Sequence, residues 1–164
     1  KNILTMKNIS AYAALLLLLS ACTKNNEFNP ATFNGTFVGV WESSTGTSGP
    51  ASIFIDVHQD QTFDLVLDFD GNYLGLGDPP PNPMSGTWDP SGGKVIDTNP
   101  LYGQCNVKIE PDGSMSGVFT NVGMGIITEL TYQGKIEENR ITASYQVLRP
   151  NGDNSTGTLT LQKQ

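Results

Sequence analysis

An antiparallel all-β fold is predicted, a meander of about eight to ten short strands closing into a barrel, with a two-sheet β-sandwich as the alternative. Three observations lead there. All 18 Gly and 10 Pro of the 164 residues lie after Cys22, about one residue in five, which leaves little room for long helices. The two longest stretches after Cys22 that lack both residues, 51–70 and 135–149, alternate apolar and polar side chains at a period of two. Turn-forming clusters recur at hairpin spacing between such stretches, and no segment is long enough for a helical crossover between parallel strands.

The strands follow in order. Residues 36–42 open the set. Residues 52–58 place Ile53, Ile55 and Val57 on one face, and 62–69 place Phe63, Leu65, Leu67 and Phe69 inward with Asp64 and Asp68 opposite. The polar run 58–61 between them reads as a tight turn. Residues 84–89 and 94–97 are short strands. Residues 104–110 and 114–120 flank Pro111-Asp112-Gly113, where Pro fixes φ and Gly permits a positive one, so they form a hairpin. Residues 126–136 carry Leu130, Tyr132 and Ile136 on one face, and a turn at 137–140 leads into Ile141, Ala143, Tyr145 and Val147. Residues 156–162 close with Leu159 and Leu161 inward. A small residue precedes Gly in Met84-Ser85-Gly86, Met115-Ser116-Gly117 and Thr156-Gly157, a loose repeat of the kind that marks bends in barrel strands. A meander of this length avoids exposed edges most simply by closing on itself.

Upstream lies an address. Residues 11–19 form an apolar run after Lys7, too short to cross a hydrocarbon core of about 30 Å, which takes ~20 residues. With Leu19-Ser20-Ala21-Cys22 at its end, the segment resembles the signal peptide and lipobox of bacterial lipoproteins. That resemblance implies cleavage before Cys22 and acylation of this residue, with residues 1–22 as leader and 23–34 as a flexible tether to the domain at 35–164. Two or three acyl chains hold a protein in a leaflet almost irreversibly. Thr23 in place of the Asp of inner-membrane lipoproteins implies the outer membrane of the cell envelope. Met6 is a candidate start. Lys1 and Lys7 precede Cys22 and all 16 acidic residues follow it, so cleavage leaves 7 basic residues and a net charge of −9. Nucleic acid is excluded as a partner, because phosphate neutralisation needs a basic face. With Cys22 acylated, Cys105 stands alone, and its place beside Val107 and Ile109 on one strand face makes it a buried thiol.

Phe37-Val38-Gly39-Val40-Trp41 resembles the Gly-X-Trp signature on the first strand of the lipocalin and fatty-acid-binding superfamily. The resemblance implies an up-and-down barrel with an apolar cavity, one end of it closed by Trp41 beside Gly39. The chain departs from the family in lacking a helix pair after the first strand and a C-terminal helix. Thr128-Glu129-Leu130-Thr131-Tyr132 is one residue short of a second lipocalin motif, and Arg149-Pro150 matches the family's closing Arg poorly. The long loop at 42–50 falls where such barrels place a lid.

Nucleophilic catalysis needs a Ser or Cys beside a His with an orienting carboxylate. His58 is the only His and lies in a turn, so no catalytic residue and no cofactor are assigned, and zinc fails for want of ligands. Asp68, Asp70 and Asn72 around Gly71 have the alternate oxygens that calcium favours, without the full loop or its bidentate Glu, and an Asp-Gly turn accounts for them equally. The loop at 72–83 holds Tyr73, Leu74 and Leu76 outside strands and three consecutive prolines, and covers the barrel mouth, a partner or an end of the core. Two function classes follow. In the first, Phe63, Leu65, Leu67, Trp88, Leu130, Tyr132 and Tyr145 line a pocket for a small apolar or amphipathic ligand. In the second the same residues fill a solid core, and the molecule meets an envelope protein through its surface. An interior void of ~300 Å³ or more separates the two.

Overall fold

The structure, a computed structural model, describes residues 29–99 and 101–164. Ten strands form one closed antiparallel barrel: β1 (Gly35–Ser43), β2 (Ser48–Val57), β3 (Thr62–Phe69), β4 (Asn82–Asp89), β5 (Gly92–Asn99), β6 (Gly103–Ile109), β7 (Ser114–Val122), β8 (Ile127–Glu137), β9 (Arg140–Leu148) and β10 (Ser155–Lys163). Each strand pairs with its neighbours in sequence, and β1 closes the ring on β10 with Trp41 opposite Leu159. Closure leaves no unpaired strand edge, which decides for the barrel over the sandwich.

The period-two pattern dictates what points inward. On β9, Ile141, Ala143, Tyr145 and Val147 are buried while Ser144 and Gln146 are exposed. The outer face is mixed at mid-strand, with Asp64, Lys108, Gln133, Gln146 and Thr158 exposed and Val40, Phe54, Ile96 and Val118 exposed among such polar residues.

Two ends result. At the lower end lie the start of β1, the end of β10 and the short turns 58–61, 90–91, 110–113 and 138–139. At the upper end lie the turn at 44–47, the long connection at 70–81 and the turns at 101–102, 123–126 and 149–154. The lid-length loop expected at 42–50 is therefore a four-residue turn. Gly49 and Pro50 belong to β2, because the Trp41 ring lies directly over Gly49: a Cβ there would be 2.8 Å from Trp41 Nε1. Below the barrel, residues Pro30–Phe33, placed in the tether by the sequence, form one 3-10 turn with Pro30 buried and Phe33 half-buried against the core. Cys22 and the leader lie outside the described residues.

Candidate functional site

The barrel interior holds a void of about 70 Å³. All ten strands except β1 contribute to its wall, and so does the lower turn through Pro30 and Phe33. Apart from Tyr132 every lining side chain is apolar, so an ordered water would find no partners and the void is dry.

Of the seven residues predicted to line a pocket, Phe63, Leu65, Leu67 and Tyr132 do so. Leu130 and Tyr145 are buried and inward but stand apart from the void. Trp88 is half-buried against the core near the lower end, and its Nε1 is the one buried side-chain polar atom among the described residues without a hydrogen-bond partner. The remaining wall, including Ile53, Ile55, Met84, Val95, Val107 and Phe119, carries the same alternation and was accessible to the same reasoning. Pro30 and Phe33 were not, since a four-residue turn has no periodicity to read.

Aromatic side chains fill the upper half. Trp41, 1% exposed, donates Nε1–H to the carbonyl of Asp70 at 2.9 Å and meets Tyr73 edge-on, with ring centroids 5.2 Å apart. Phe69 stacks on Tyr73 at 4.3 Å. The hydroxyl of Tyr73 is hydrogen-bonded to that of Tyr132, and Tyr145 donates to the carbonyl of Glu42 at 3.0 Å. Burial pushes the Tyr132 hydroxyl pKa upward, and the neighbouring Tyr145 adds to the shift, so the group stays neutral. Trp41 thus closes the upper end, and Gly39 beside it lets the β10 backbone approach: a Cβ there would lie 2.0 Å from the carbonyl oxygen of Thr160.

The loop with three prolines completes the closure. Tyr73, Leu74 and Pro79 are buried, so its apolar residues cap an end of the core. Tyr102 donates its hydroxyl to Pro80, and Arg149 donates from Nη2 to the carbonyl of Leu74 at 3.0 Å and from Nη1 to that of Asp153 at 2.8 Å. Arg149, a poor match by sequence motif, therefore fastens the upper cap.

Two side-chain oxygens of the Asp-rich turn accept from its own backbone. Asn72 Oδ1 accepts from Gly77 N–H at 3.0 Å, and Asp78 Oδ1 accepts from Gly71 N–H at 2.7 Å. Among the described residues no three of His, Cys, Asp or Glu stand close enough to share a metal ion. His58 pairs through Nε2 with Asp64 Oδ2 at 3.1 Å, and Ser85 donates to Asp64 Oδ1 at 2.8 Å. The carboxylate sits between hydroxyl and imidazole, so Ser85 is not aimed at a base as a nucleophile would be. Cys105 is buried, its thiol pushed up to about 12 by desolvation and then by Asp97, which removes the reactive thiolate.

No protein-family model matches the chain, and no curated protein does. Among solved structures it is similar to a redesigned β-barrel, at 17% identity and a TM-score of 0.39 over 82% of this chain and 93% of that one. It is also similar to a barrel, EF1p2_mFAP2b, bound to DFHBI, at 15% identity and a TM-score of 0.42 over 87% of this chain and 100% of that one. The redesigned barrel mFAP1, also bound to DFHBI, shares 14% identity at a TM-score of 0.38 over 81% of this chain and 96% of that one. The architecture is lipocalin-like in the coarse sense of an up-and-down antiparallel barrel.

Proposed function

We propose that this chain is a lipoprotein of the bacterial cell envelope, anchored through acylated Cys22 in the outer membrane, whose barrel is a packed, non-catalytic module that meets an envelope protein through its surface. The observation that supports the packed reading is the size of the void: about 70 Å³ against the ~300–1,000 Å³ of pockets that hold drug-sized ligands. The upper half is filled from above as well, where Tyr73 of the cap is hydrogen-bonded to Tyr132 of β8.

Anchoring is tested by phase partition of the protein expressed in a lipoprotein-processing host. The parent enters the detergent phase and Cys22→Ser stays aqueous; a Cys22→Ser chain that partitions like the parent overturns the anchor. Packing is tested by native mass spectrometry with and without organic extraction. A co-purifying lipid-sized mass overturns the packed reading.

A second reading is binding of a small hydrophobic ligand. It is favoured by a void that is apolar on every side and that is walled at the lower end by a turn instead of a strand.

A further inference from the structure

We propose that the upper pole of the barrel, centred on the exposed turn at 123–126, is a docking surface for a protein segment that carries apolar side chains between lysines or arginines. The proposal deepens the surface-interaction reading above and rests on it. The turn joins β7 to β8, and Gly123, Met124 and Gly125 have φ of 61°, 56° and 93°. Glycine adopts such angles freely, whereas a long side chain enters them at a cost. A turn that needed only this backbone would be better served by Gly or Asn at 124. Met124 stands there instead with 86% of its surface exposed, and Ile126 beside it is 54% exposed. Leu76 of the 70–81 connection lies against the turn, where a Cβ added at Gly123 would be 2.4 Å from its Cδ2, and Gly123 N–H donates to the carbonyl of Leu101 at 2.6 Å. Leu76 and Leu101 are themselves half-buried. Three connections thus converge on one apolar tip, and the side chain that projects furthest from it is a methionine, which conforms readily to an uneven partner.

What surrounds the tip sets the charge of the partner. Asp70 and Asp78 lie in the connection that carries Leu76, Asp153 lies in the turn at 149–154, and Glu42, Asp68, Asp97 and Glu129 stand toward the upper ends of their strands. Against these carboxylates the upper end of the described chain has one cation, Arg149, whose guanidinium is taken up by the carbonyls of Leu74 and Asp153. The other described basic residues, Lys94, Lys108, Lys135, Arg140 and Lys163, all lie toward the lower end. Among the described residues the ion pairs are His58 with Asp64 and Lys108 with Glu110, both low on the barrel, so no cation pairs with the upper carboxylates. They crowd one another instead: desolvation first, then Asp70 and Asp78, push the Asp68 carboxyl above its ordinary pKa. An apolar centre inside a charged rim is the anatomy of a protein interface, and a rim of one sign selects a partner of the other. The same rim repels an anionic bilayer, which argues against insertion of the tip into lipid.

Reporters already stand at each level of the barrel: Met124 at the upper pole, Met84 and Met115 in the wall of the void, and His58, the sole histidine, at the lower end. The full chain, labelled with ¹³C-methyl methionine, is titrated with an alternating Lys-Leu peptide and followed by NMR, with affinities read by calorimetry. The expected result is that the Met124 methyl shifts while Met84, Met115 and His58 do not, and that binding weakens as salt is raised. A Lys-Ser peptide of the same length, and vesicles of phosphatidylethanolamine and phosphatidylglycerol, should leave Met124 unmoved. Met124→Gly should weaken binding about tenfold. Its melting temperature should not fall, because glycine relieves the positive φ, and this separates a side chain kept for recognition from one kept for structure. Asp70→Asn should weaken binding about threefold, and Glu138→Gln at the lower end should not. Undiminished binding by Met124→Gly, or equal losses in Asp70→Asn and Glu138→Gln, overturns the docking surface. A Met124 shift with vesicles, or an equal one with the Lys-Ser peptide, assigns the tip to lipid or to charge alone and overturns it too. A shift at His58 without Met124, or none anywhere, overturns this surface and leaves the packed, surface-acting reading in place, whereas shifts at Met84 and Met115 overturn both.

Discussion

The hydroxyls of Tyr73 and Tyr132 satisfy each other in a region that water does not reach. Removing one leaves its partner buried and unpaired, so Tyr73→Phe and Tyr132→Phe should each destabilise the fold by about 1–3 kcal/mol. The double variant should cost clearly less than the two losses added, as measured by urea denaturation. Strict additivity would mean that the hydroxyls do not act as a pair. The inward direction of Tyr132 is legible from alternation along β8, but its bond is not, because Tyr73 sits in a loop 59 positions away and loops have no period. On the surface, His58 is raised above 6.5, first by its hydrogen bond to Asp64 and further by Asp56. Asp64 is lowered, first by Ser85 and then by His58. A raised His stabilises the fold below its unfolded pKa, and that contribution fades as pH rises through the folded value. The lowered Asp64 contributes above its unfolded pKa and loses this as pH falls through its folded value. NMR titration should show His58 titrating above 6.5, and lower in Asp64→Asn; an unchanged His58 in that variant would show that the pair is not the cause.

Along the strands, four inward aromatics each face a glycine on the neighbouring strand: Trp41 opposite Gly49, Phe63 opposite Gly86, Tyr132 opposite Gly117 and Tyr145 opposite Gly157. At Gly49, Gly86 and Gly157 the ring occupies the space a side chain would take, which lets large aromatics fit inside a barrel of ten short strands. The sequence repeat at Gly86, Gly117 and Gly157 is thus explained by cross-strand packing. The glycines were legible as bends; their partners were not, since register across strands is a property of the folded sheet. The sites also differ in what an added methyl would strike. At Gly157 it meets the Glu42 carbonyl oxygen and the Tyr145 ring, both at 2.2 Å, and at Gly86 it meets the Phe63 ring at 2.2 Å and the Lys94 carbonyl oxygen at 2.7 Å. At Gly117 its nearest neighbour is a Val107 methyl at 2.9 Å, a side-chain atom and not backbone, and the next lies at 3.7 Å. Gly86→Ala and Gly157→Ala should therefore cost about 1–3 kcal/mol or more, and Gly117→Ala distinctly less. Thermal melts give the order, and a Gly117→Ala loss equal to the others would contradict it.

Over the whole molecule, sequence reasoning located ten strands because each runs between turn residues and alternates, and it reached closure through the need to hide edges. What plugs the two ends was out of reach, since the plugs at Pro30–Phe33 and at 70–81 are short irregular segments whose role depends on where the ring places them. Closure couples β1 to β10 across more than a hundred residues, so that pairing carries a large loop-closure cost before any contact repays it. Stopped-flow refolding should accordingly fall in the millisecond-to-second range typical of non-local β topologies, and microsecond folding would contradict the β1–β10 seam as a required step. That seam also brings Gln164 N–H to within 2.9 Å of the Thr36 carbonyl oxygen, so the last residue lies beside the first strand. A ring whose seam is stitched this way has no privileged starting strand. A circular permutant that bridges Gln164 to Asn34 and is cut at the Gly123 to Gly125 tip keeps every rung, and would carry any leader grafted to it on the opposite pole.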